Sequence, residues 1–181
     1  FTFINLYDQL TFEESEEEIQ LKELEPISDN LVLKAVDLLK KRTNCNKGVK
    51  IALQKHIPLQ KGLGGGSSDA AATLIALNKL WNLELTQTEL LDMSLELGSD
   101  VPFFIFGHNA WAEGRGEILS KVDFNEDWHL LYMPEAKIST KKAFEGSSSK
   151  FSRPYTYEEY SSGGGFNSFE KWARDSYEEI D

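Results

Sequence analysis

The stretch that decides the fold runs from Ile57 to Thr73 and reads Ile-Pro-Leu-Gln-Lys-Gly-Leu-Gly-Gly-Gly-Ser-Ser-Asp-Ala-Ala-Ala-Thr. Four of the five residues Gly62–Gly66, the glycine loop, lack a Cβ, so this backbone can adopt positive φ angles and approach a ligand closely. Ser67, Ser68 and Asp69 predict N-cap chemistry for a helix that begins at about Ser68. A glycine loop that leads into a helix is typical of a phosphate site; a flexible turn is the alternative.

Two common phosphate-binding motifs do not fit this stretch. The P-loop ends in Gly-Lys followed by Ser or Thr, whereas here Lys61 precedes the glycines. The dinucleotide-binding pattern Gly-x-Gly-x-x-Gly fails at its last position, which is Ser67 in this chain. What remains is a glycine run ending in Ser-Ser-Asp, whose hydroxyls suit a phosphate oxygen or a phosphate-bound Mg²⁺, with Ser67 as the candidate magnesium ligand.

Composition limits the class of protein. The chain has 181 residues, enough for one ordinary domain, and 40% of them are hydrophobic, which suffices for a core. A formal net charge of −11 argues against a nucleic-acid or membrane partner, because no basic surplus is available. The single cysteine, Cys45, fits a reducing compartment. We therefore expect a cytoplasmic protein, and the sequence leaves its oligomeric state, a monomer or a weak dimer, open.

Periodicity and turn residues predict a mixture of strands and helices. The acidic run Glu13–Glu18 predicts a solvated hairpin tip, with a metal-binding acidic cluster as the alternative. Thr86 with Glu89 forms a capping-box pattern. The order of elements indicates an α+β fold rather than a regular βαβ array. The predicted elements are strands over 1–13 and Ile19–Leu24, a helix over Leu31–Lys41, a strand over Val49–Gln54, helices over Ser68–Leu80 and Thr86–Leu97, a hairpin over 110–119, a buried strand over Trp128–Met133 and a last helix capped by Ser168.

Asp100 is the second candidate functional residue. It follows the helix stop at Gly98 and precedes the apolar run Phe103–Phe106. A carboxylate held in a fixed loop at this point is suited to accept or orient the proton of an attacking hydroxyl in phosphoryl transfer. From the segment alone, an aspartate that caps a turn is the alternative.

Three motifs together resemble those of the GHMP small-molecule kinases. They are Lys55-x-Ile57-Pro58 with the glycine stretch through Ala71, Gly98-Ser99-Asp100-Val101-Pro102-Phe103-Phe104, and Ala112-Glu113-Gly114-x-Gly116-Glu117. The similarity is dense from about Asp29 to Leu119 and thin after Thr140. The resemblance implies an α+β GHMP-kinase fold, with a ribosomal S5-like N-terminal domain and the beginning of an α/β C-terminal domain.

The resemblance also implies residue roles at an ATP site. Asp100 is implied to be the catalytic carboxylate, and Asn30 and Lys55 match family positions near the adenosine end of ATP. The residues implied to cradle the ATP phosphates are Gly62, Leu63, Gly64, Gly65, Gly66, Ser67 and Ser68. From the residues alone, a helix cap remains the alternative for Asn30, and a solvated lysine at a strand end remains the alternative for Lys55.

Within the family, the motifs resemble members that phosphorylate the 2-hydroxyl of a cytidine diphosphate-linked methylerythritol in isoprenoid biosynthesis. Phe1 falls just after the family's cytosine-recognition segment, and the resemblance makes it the candidate to pack on the cytosine ring. Phe166 is a loose counterpart of a second substrate-contacting aromatic. A core phenylalanine is the alternative for Phe1.

The chain departs from the family pattern at both ends. The family's Pro-x-Lys-x-Asn strand, its Asp-Gly-Tyr-His segment and its later Gly-Ser-Gly loop are absent from the 181 residues. We therefore expect a part of a longer kinase, with an incomplete N-terminal ATP-binding domain over 1–130 and the incomplete start of a C-terminal domain over 131–181. We expect little or no kinase activity from this part alone, because the family's strand lysine stabilises the transferring phosphoryl group.

Two other functions remain open from the sequence. One is another GHMP kinase, such as a homoserine kinase, which an assay with each acceptor distinguishes. The other is a non-catalytic module that binds a nucleotide, which would bind ATP without transferring its phosphate.

Overall fold

The strand that leads into the glycine stretch lies at the centre of a three-stranded sheet. The computed structural model describes residues 1–16, 18–23, 26–123, 128–134, 140–147, 156–163 and 167–180. Among them, β1 (Gln9–Ser15), β2 (Ile19–Glu23) and β3 (Gly48–Gln54) form a sheet in the order β1-β3-β2. β3 runs antiparallel to β1 and parallel to β2.

This strand order corrects the predicted hairpin between the first two strands. β1 and β2 do not pair with each other, because β3 lies between them. Val49, Ile51 and Leu53 of β3 are all buried, which favours the central position for this strand, while β1 and β2 keep more exposed side chains. The prediction of strand from residue 1 is also wrong for residues 1–8, which precede β1.

Two helices cover the sheet and form the main hydrophobic core with it. α1 (Leu31–Thr43) and α2 (Gly65–Leu80) pack against each other. The predicted bounds of α1 and β3 agree with the structure to within two residues. The buried side chains of this core include those of Val32, Val36, Leu39, Val49, Leu74, Leu77, Trp81 and Val101.

The chain after α2 returns to the start of that helix. α3 (Gln87–Ser94) has the predicted capping box of Thr86 and Glu89, and a short helix, α4 (Val101–Phe106), follows it. The apolar run after Asp100 is therefore a helix, although its sequence pattern predicts none. β4 (Ala110–Glu113) and β5 (Ile118–Lys121) form the predicted antiparallel hairpin.

The chain divides into two compact units, one of Phe1–Pro58 with Leu63–Asp127 and one of Leu59–Gly62 with Trp128–Asp181. The second unit contains α5 (Thr140–Ser147), α6 (Tyr157–Ser161), α7 (Glu170–Ser176) and a 3₁₀ turn at Glu178–Ile180. Within it, the Phe144 and Phe169 rings meet edge to face with centroids 5.0 Å apart. Within the described ranges, no helix is long and apolar enough to span a bilayer.

Several predictions for this second unit are wrong. Trp128–Met133 is not a strand, and the Trp128 side chain is fully exposed, because the described residues offer this apolar run no partner strand. α5 and α6 are helices for which the sequence pattern gave no prediction. The last helix begins at Glu170 with Phe169, rather than Ser168, at the N-cap position, and it ends at Ser176.

Candidate active site

The glycine loop leads into α2 three residues earlier than predicted. α2 begins at Gly65, and its N-cap is Gly64 with φ of 69°, a left-handed conformation that glycine adopts without steric cost. Ser67, Ser68 and Asp69 therefore lie inside the first turns of the helix, and the prediction that they cap it is wrong. The glycine backbone itself makes the turn, so no capping side chain stands between the helix start and a ligand.

The start of α2 leaves several hydrogen-bond donors unused. The first backbone bond of the helix runs from the N–H of Ser68 to the carbonyl of Gly64 at 2.8 Å, so the N–H groups of Gly65, Gly66 and Ser67 have no partner within the helix. The Ser67 and Ser68 hydroxyls make no hydrogen bond to any residue that the structure describes. Together with the helix dipole, these donors suit an anion such as a phosphate group.

Side chains from three other parts of the chain pack closely against Gly64, Gly65 and Gly66. A Cβ on Gly64 would lie 2.9 Å from the ring of Phe104 in α4, and one on Gly66 would lie 3.5 Å from a methyl of Leu31 in α1. A Cβ on Gly65 would lie 2.9 Å from the side chain of Ile57, which follows β3. The starts of α1 and α2, helix α4 and the end of β3 thus meet at one place.

Lys55 is held between two buried carboxylates beneath this helix start. Its Nζ donates to Oδ2 of Asp69 at 2.7 Å and also to Oδ2 of Asp8. The other Asp8 oxygen accepts the backbone N–H groups of His56 at 2.6 Å and Ile57 at 2.8 Å. The Lys55 side chain is only 17% exposed, so the alternative of a solvated lysine is wrong. We call Asp8, Lys55 and Asp69 the Lys55 cluster.

The two carboxylates share one ammonium group, and their pKa values move in opposite directions. Burial raises the pKa of Asp69 to about 6, and the hydrogen bond from Lys55 offsets this only in part. Burial also raises the pKa of Asp8, but hydrogen bonds from Lys55 and from the amides of Ile57 and His56 outweigh it and leave the pKa below its usual value. Burial lowers the pKa of Lys55, and the bonds to Asp69 and Asp8 more than reverse that effect.

Asp100 occupies the N-cap position of α4, with an exposed side chain that makes no capping hydrogen bond. One turn later Phe104 packs on Gly64, so α4 places Asp100 on the element that contacts the start of α2. The turn between β4 and β5 also contacts this segment, since a Cβ on Gly116 would lie 2.9 Å from the carbonyl oxygen of Ser99. The Asp100 side chain is therefore exposed, while the preceding Ser99 packs against Gly116 and the following Val101 is buried.

Asn30 is the N-cap of α1. Its Oδ1 accepts the N–H of Val32 at 2.9 Å, and its Nδ2 donates to Oε2 of Glu23 at 2.8 Å. Capping, the alternative for Asn30, is therefore observed. The neighbouring Leu31 contacts Gly66, so the cap also lies close to the start of α2, and a role at the ATP site stays a prediction.

The structure describes one of the two phenylalanines that are candidates to contact the substrate, Phe1, and not the other, Phe166. Phe1 is 52% exposed and packs against Phe103 of α4 with ring centroids 5.1 Å apart. Its backbone exchanges two hydrogen bonds with Ala110 of β4, at 2.8 and 3.0 Å. Phe1 is therefore not a fully buried core residue, and its ring lies on the helix that carries Asp100. Phe166 lies outside the residues that the structure describes.

Asp8 is a candidate functional residue that no local sequence pattern predicts. It belongs to no motif, and it precedes β1 by one residue. Only the pairing of the strands indicates that Asp8 lies near Lys55. The β1–β3 ladder ends at the pair Gln9 and Gln54. The next pair in the same register is Asp8 and Lys55. In the described part of the chain, no group of three or more His, Cys, Asp or Glu side chains is arranged to hold a metal ion.

A methyl group at Gly65 tests the close packing of the helix start. We expect Gly65→Ala to lower the free energy of unfolding by about 1–3 kcal/mol, because the new Cβ would lie 2.9 Å from Cγ2 and 3.2 Å from Cβ of Ile57. Gly66→Ala is the matched control, since its nearest atom would be 3.5 Å away and alanine favours helix. Denaturant unfolding of both variants measures the difference; equal effects would contradict the packing argument.

Comparison with known proteins identifies the family. The model of the GHMP kinases N terminal domain matches residues 30–108. A curated relative from Acinetobacter baumannii is 42% identical over 188 residues, covering 100% of this chain and 68% of the relative. The chain therefore belongs to the GHMP kinase family, and the predicted α+β GHMP-kinase fold is confirmed.

Within that family, the relative from Acinetobacter baumannii is a 4-diphosphocytidyl-2-C-methyl-D-erythritol kinase. A second such kinase, from Nitrosococcus oceani, is 44% identical over 149 residues, or 80% of this chain, and the aligned part spans 53% of that relative. The chain thus covers about half the length of the latter kinase.

Solved structures give the same result for the fold. A crystal structure of 4-(cytidine 5'-diphospho)-2C-methyl-D-erythritol kinase matches with a TM-score of 0.72 and 30% identity, over 93% of this chain and 65% of that one. A homoserine kinase from Cytophaga hutchinsonii matches with a TM-score of 0.61 over 85% of this chain and 54% of that one, but at 16% identity it shares the fold alone.

Proposed function

We propose that this protein is an ATP-dependent kinase that phosphorylates the 2-hydroxyl of 4-diphosphocytidyl-2-C-methyl-D-erythritol. The observation that carries the proposal is the 42% identity to a kinase of that name over 100% of this chain. The homoserine kinase alternative has support from the fold only, at 16% identity. We include a cytoplasmic location in the proposal, as expected from the composition.

The geometry of the site supports phosphoryl transfer. The N–H groups of Gly65, Gly66 and Ser67, which have no partner within α2, would bind the phosphates of ATP. The Ser67 hydroxyl, which makes no hydrogen bond to a described residue, fits a ligand of the ATP-bound Mg²⁺. When bound, that ion neutralises charge on the transferring phosphoryl group. The rest of the predicted cradle is Gly62, Leu63, Gly64 and Ser68, with Asn30 and Lys55 toward the adenosine end.

Asp100 is proposed to receive the proton of the acceptor hydroxyl or to orient that hydroxyl. Its exposure at the start of α4 and its lack of a capping bond leave the carboxylate available for this role. Phe1 lies against the same helix through Phe103 and is proposed to pack on the cytosine ring. Most of the rate enhancement would come from positioning and charge stabilisation.

A phosphate-transfer assay with purified full-length protein tests the proposal. We expect ADP formation from Mg-ATP that depends on 4-diphosphocytidyl-2-C-methyl-D-erythritol and is at least about tenfold slower with homoserine, because the two acceptors share too little for one site to bind both well. Transfer to homoserine instead would favour the other GHMP kinase. ATP binding without transfer to either acceptor would favour a non-catalytic nucleotide-binding module.

A further inference from the structure

The side chain of Asp8 is buried although no motif contains this residue. Its side chain is 1% exposed, which is rare for a carboxylate unless it is paired. The antiparallel ladder of β1 and β3 ends at Gln9 and Gln54, so the next position in register puts Asp8 opposite Lys55. The sheet itself therefore brings the two side chains together.

Asp8 holds both the side chain and the backbone of the residues that follow β3. One carboxylate oxygen accepts a hydrogen bond from the Lys55 ammonium group. The other accepts hydrogen bonds from the N–H groups of His56 and Ile57 at 2.6 and 2.8 Å. Bonds to an ionised acceptor are stronger than neutral ones. The chain that leaves the sheet toward the glycine loop is thus bound at three consecutive residues by one side chain.

Lys55 carries this restraint across to α2. It donates to Asp69 at 2.7 Å, and Asp69 is a buried residue in the second turn of that helix. Gly65 also lies close to Lys55, since a Cβ added at Gly65 would be 3.3 Å from the lysine Nζ. The second oxygen of Asp69 is buried and has no hydrogen-bond partner in the described part of the chain, so the tie to α2 depends on Lys55.

We propose that Asp8 is a positioning residue of the glycine loop, which fixes Lys55 and the chain after β3 so that the start of α2 is held ready for the phosphates of ATP. The identity of the ligand rests on the proposed function, whereas the effect on the loop does not. Without Asp8, the end of β3 and the start of α2 would sample several arrangements. ATP affinity would then fall in proportion to the fraction of molecules that remain competent to bind.

Asp8→Asn tests the proposal, because it keeps the shape of the side chain and removes its charge. Glu14→Gln is the matched control, since Glu14 lies near the other end of β1 and pairs with Lys47 at 3.0 Å through half-exposed side chains. In Asp8→Asn we expect hydrogen exchange of the amides of His56, Ile57 and Ser68, which are hydrogen-bonded in the structure, to accelerate about tenfold or more, while the β1–β3 ladder stays protected. In the full-length protein, the Kd for ATP should rise about tenfold with the KM of the acceptor unchanged.

Several outcomes would overturn the proposal. One is unchanged exchange at His56, Ile57 and Ser68 in Asp8→Asn, and another is faster exchange without any loss of ATP affinity, which would indicate a role in stability alone. Equal effects in Glu14→Gln would also contradict it. If the unaltered protein binds no ATP, the proposed function fails, and hydrogen exchange by itself then decides whether Asp8 positions the loop. Should Asp8→Asn not fold, Asp8→Glu replaces it, with the same direction expected.

Discussion

Asp100→Asn is expected to lower the turnover of the full-length protein by about two to four orders of magnitude. An asparagine keeps the shape of the side chain but cannot take the proton of the acceptor hydroxyl. The affinity for ATP should stay nearly constant, because the loop that would bind the phosphates is carried by α2 and not by α4. Steady-state kinetics with ATP and 4-diphosphocytidyl-2-C-methyl-D-erythritol, together with calorimetry of ATP binding, measure the two quantities.

The fold should tolerate this substitution. The Asp100 side chain is exposed and makes no capping hydrogen bond, so we expect the free energy of unfolding to change by less than about 0.5 kcal/mol. Asp92→Asn, at an exposed position of α3, is the matched control and should keep normal turnover. Turnover of Asp100→Asn within threefold or so of the unaltered protein would remove Asp100 from the proposed mechanism.

Lys55→Met is expected to lower the free energy of unfolding by about 3–5 kcal/mol at neutral pH. The reason is that removing one partner of a buried ion pair leaves charge uncompensated, and here two carboxylates depend on a single ammonium. Methionine keeps most of the side-chain volume, so the effect is one of charge and not of a cavity. Denaturant unfolding at several pH values measures it.

The destabilisation by Lys55→Met should shrink as the pH falls. In the unaltered protein, the lowered pKa of Asp8 stabilises the fold at every pH above the pKa that this carboxyl has in the unfolded chain. This contribution is lost as the pH falls through the lower pKa of the folded state. The raised pKa of Asp69, about 6, has the opposite sign and costs stability as the pH rises toward that value. Without Lys55 both carboxylates keep their protons more readily, so the variant loses most stability at about pH 7–8 and least near about pH 4.

Lys47→Met provides the comparison for this prediction. Lys47 lies just before β3 and pairs with Glu14 at 3.0 Å, but both side chains are about half exposed. An exposed ion pair contributes about 0–1 kcal/mol, and its loss should show little dependence on pH. A Lys55→Met variant that loses no more stability than Lys47→Met would mean that the Lys55 cluster is solvated in solution.

Local patterns predicted those elements whose signals lie within a few residues. The capping box of Thr86 and Glu89, the helix after Asn30 and the alternating strand Val49–Gln54 all form as predicted. Their determinants are caps and periodicity, which do not need the rest of the chain. The same kind of signal failed for Trp128–Met133, because an apolar run becomes a strand only if another strand pairs with it.

The sequence by itself determined that a glycine loop leads into a helix, that Asp100 lies in a separate motif, and that both resemble one kinase family. Only the tertiary structure decided that α2 begins at Gly65, because this start depends on the left-handed backbone of Gly64 packed against Phe104. It also decided the surroundings of Lys55. Asp8 and Asp69 are 61 residues apart in sequence, and they meet at Lys55 because strand register and helix packing, which no local pattern encodes, bring both carboxylates to one ammonium group.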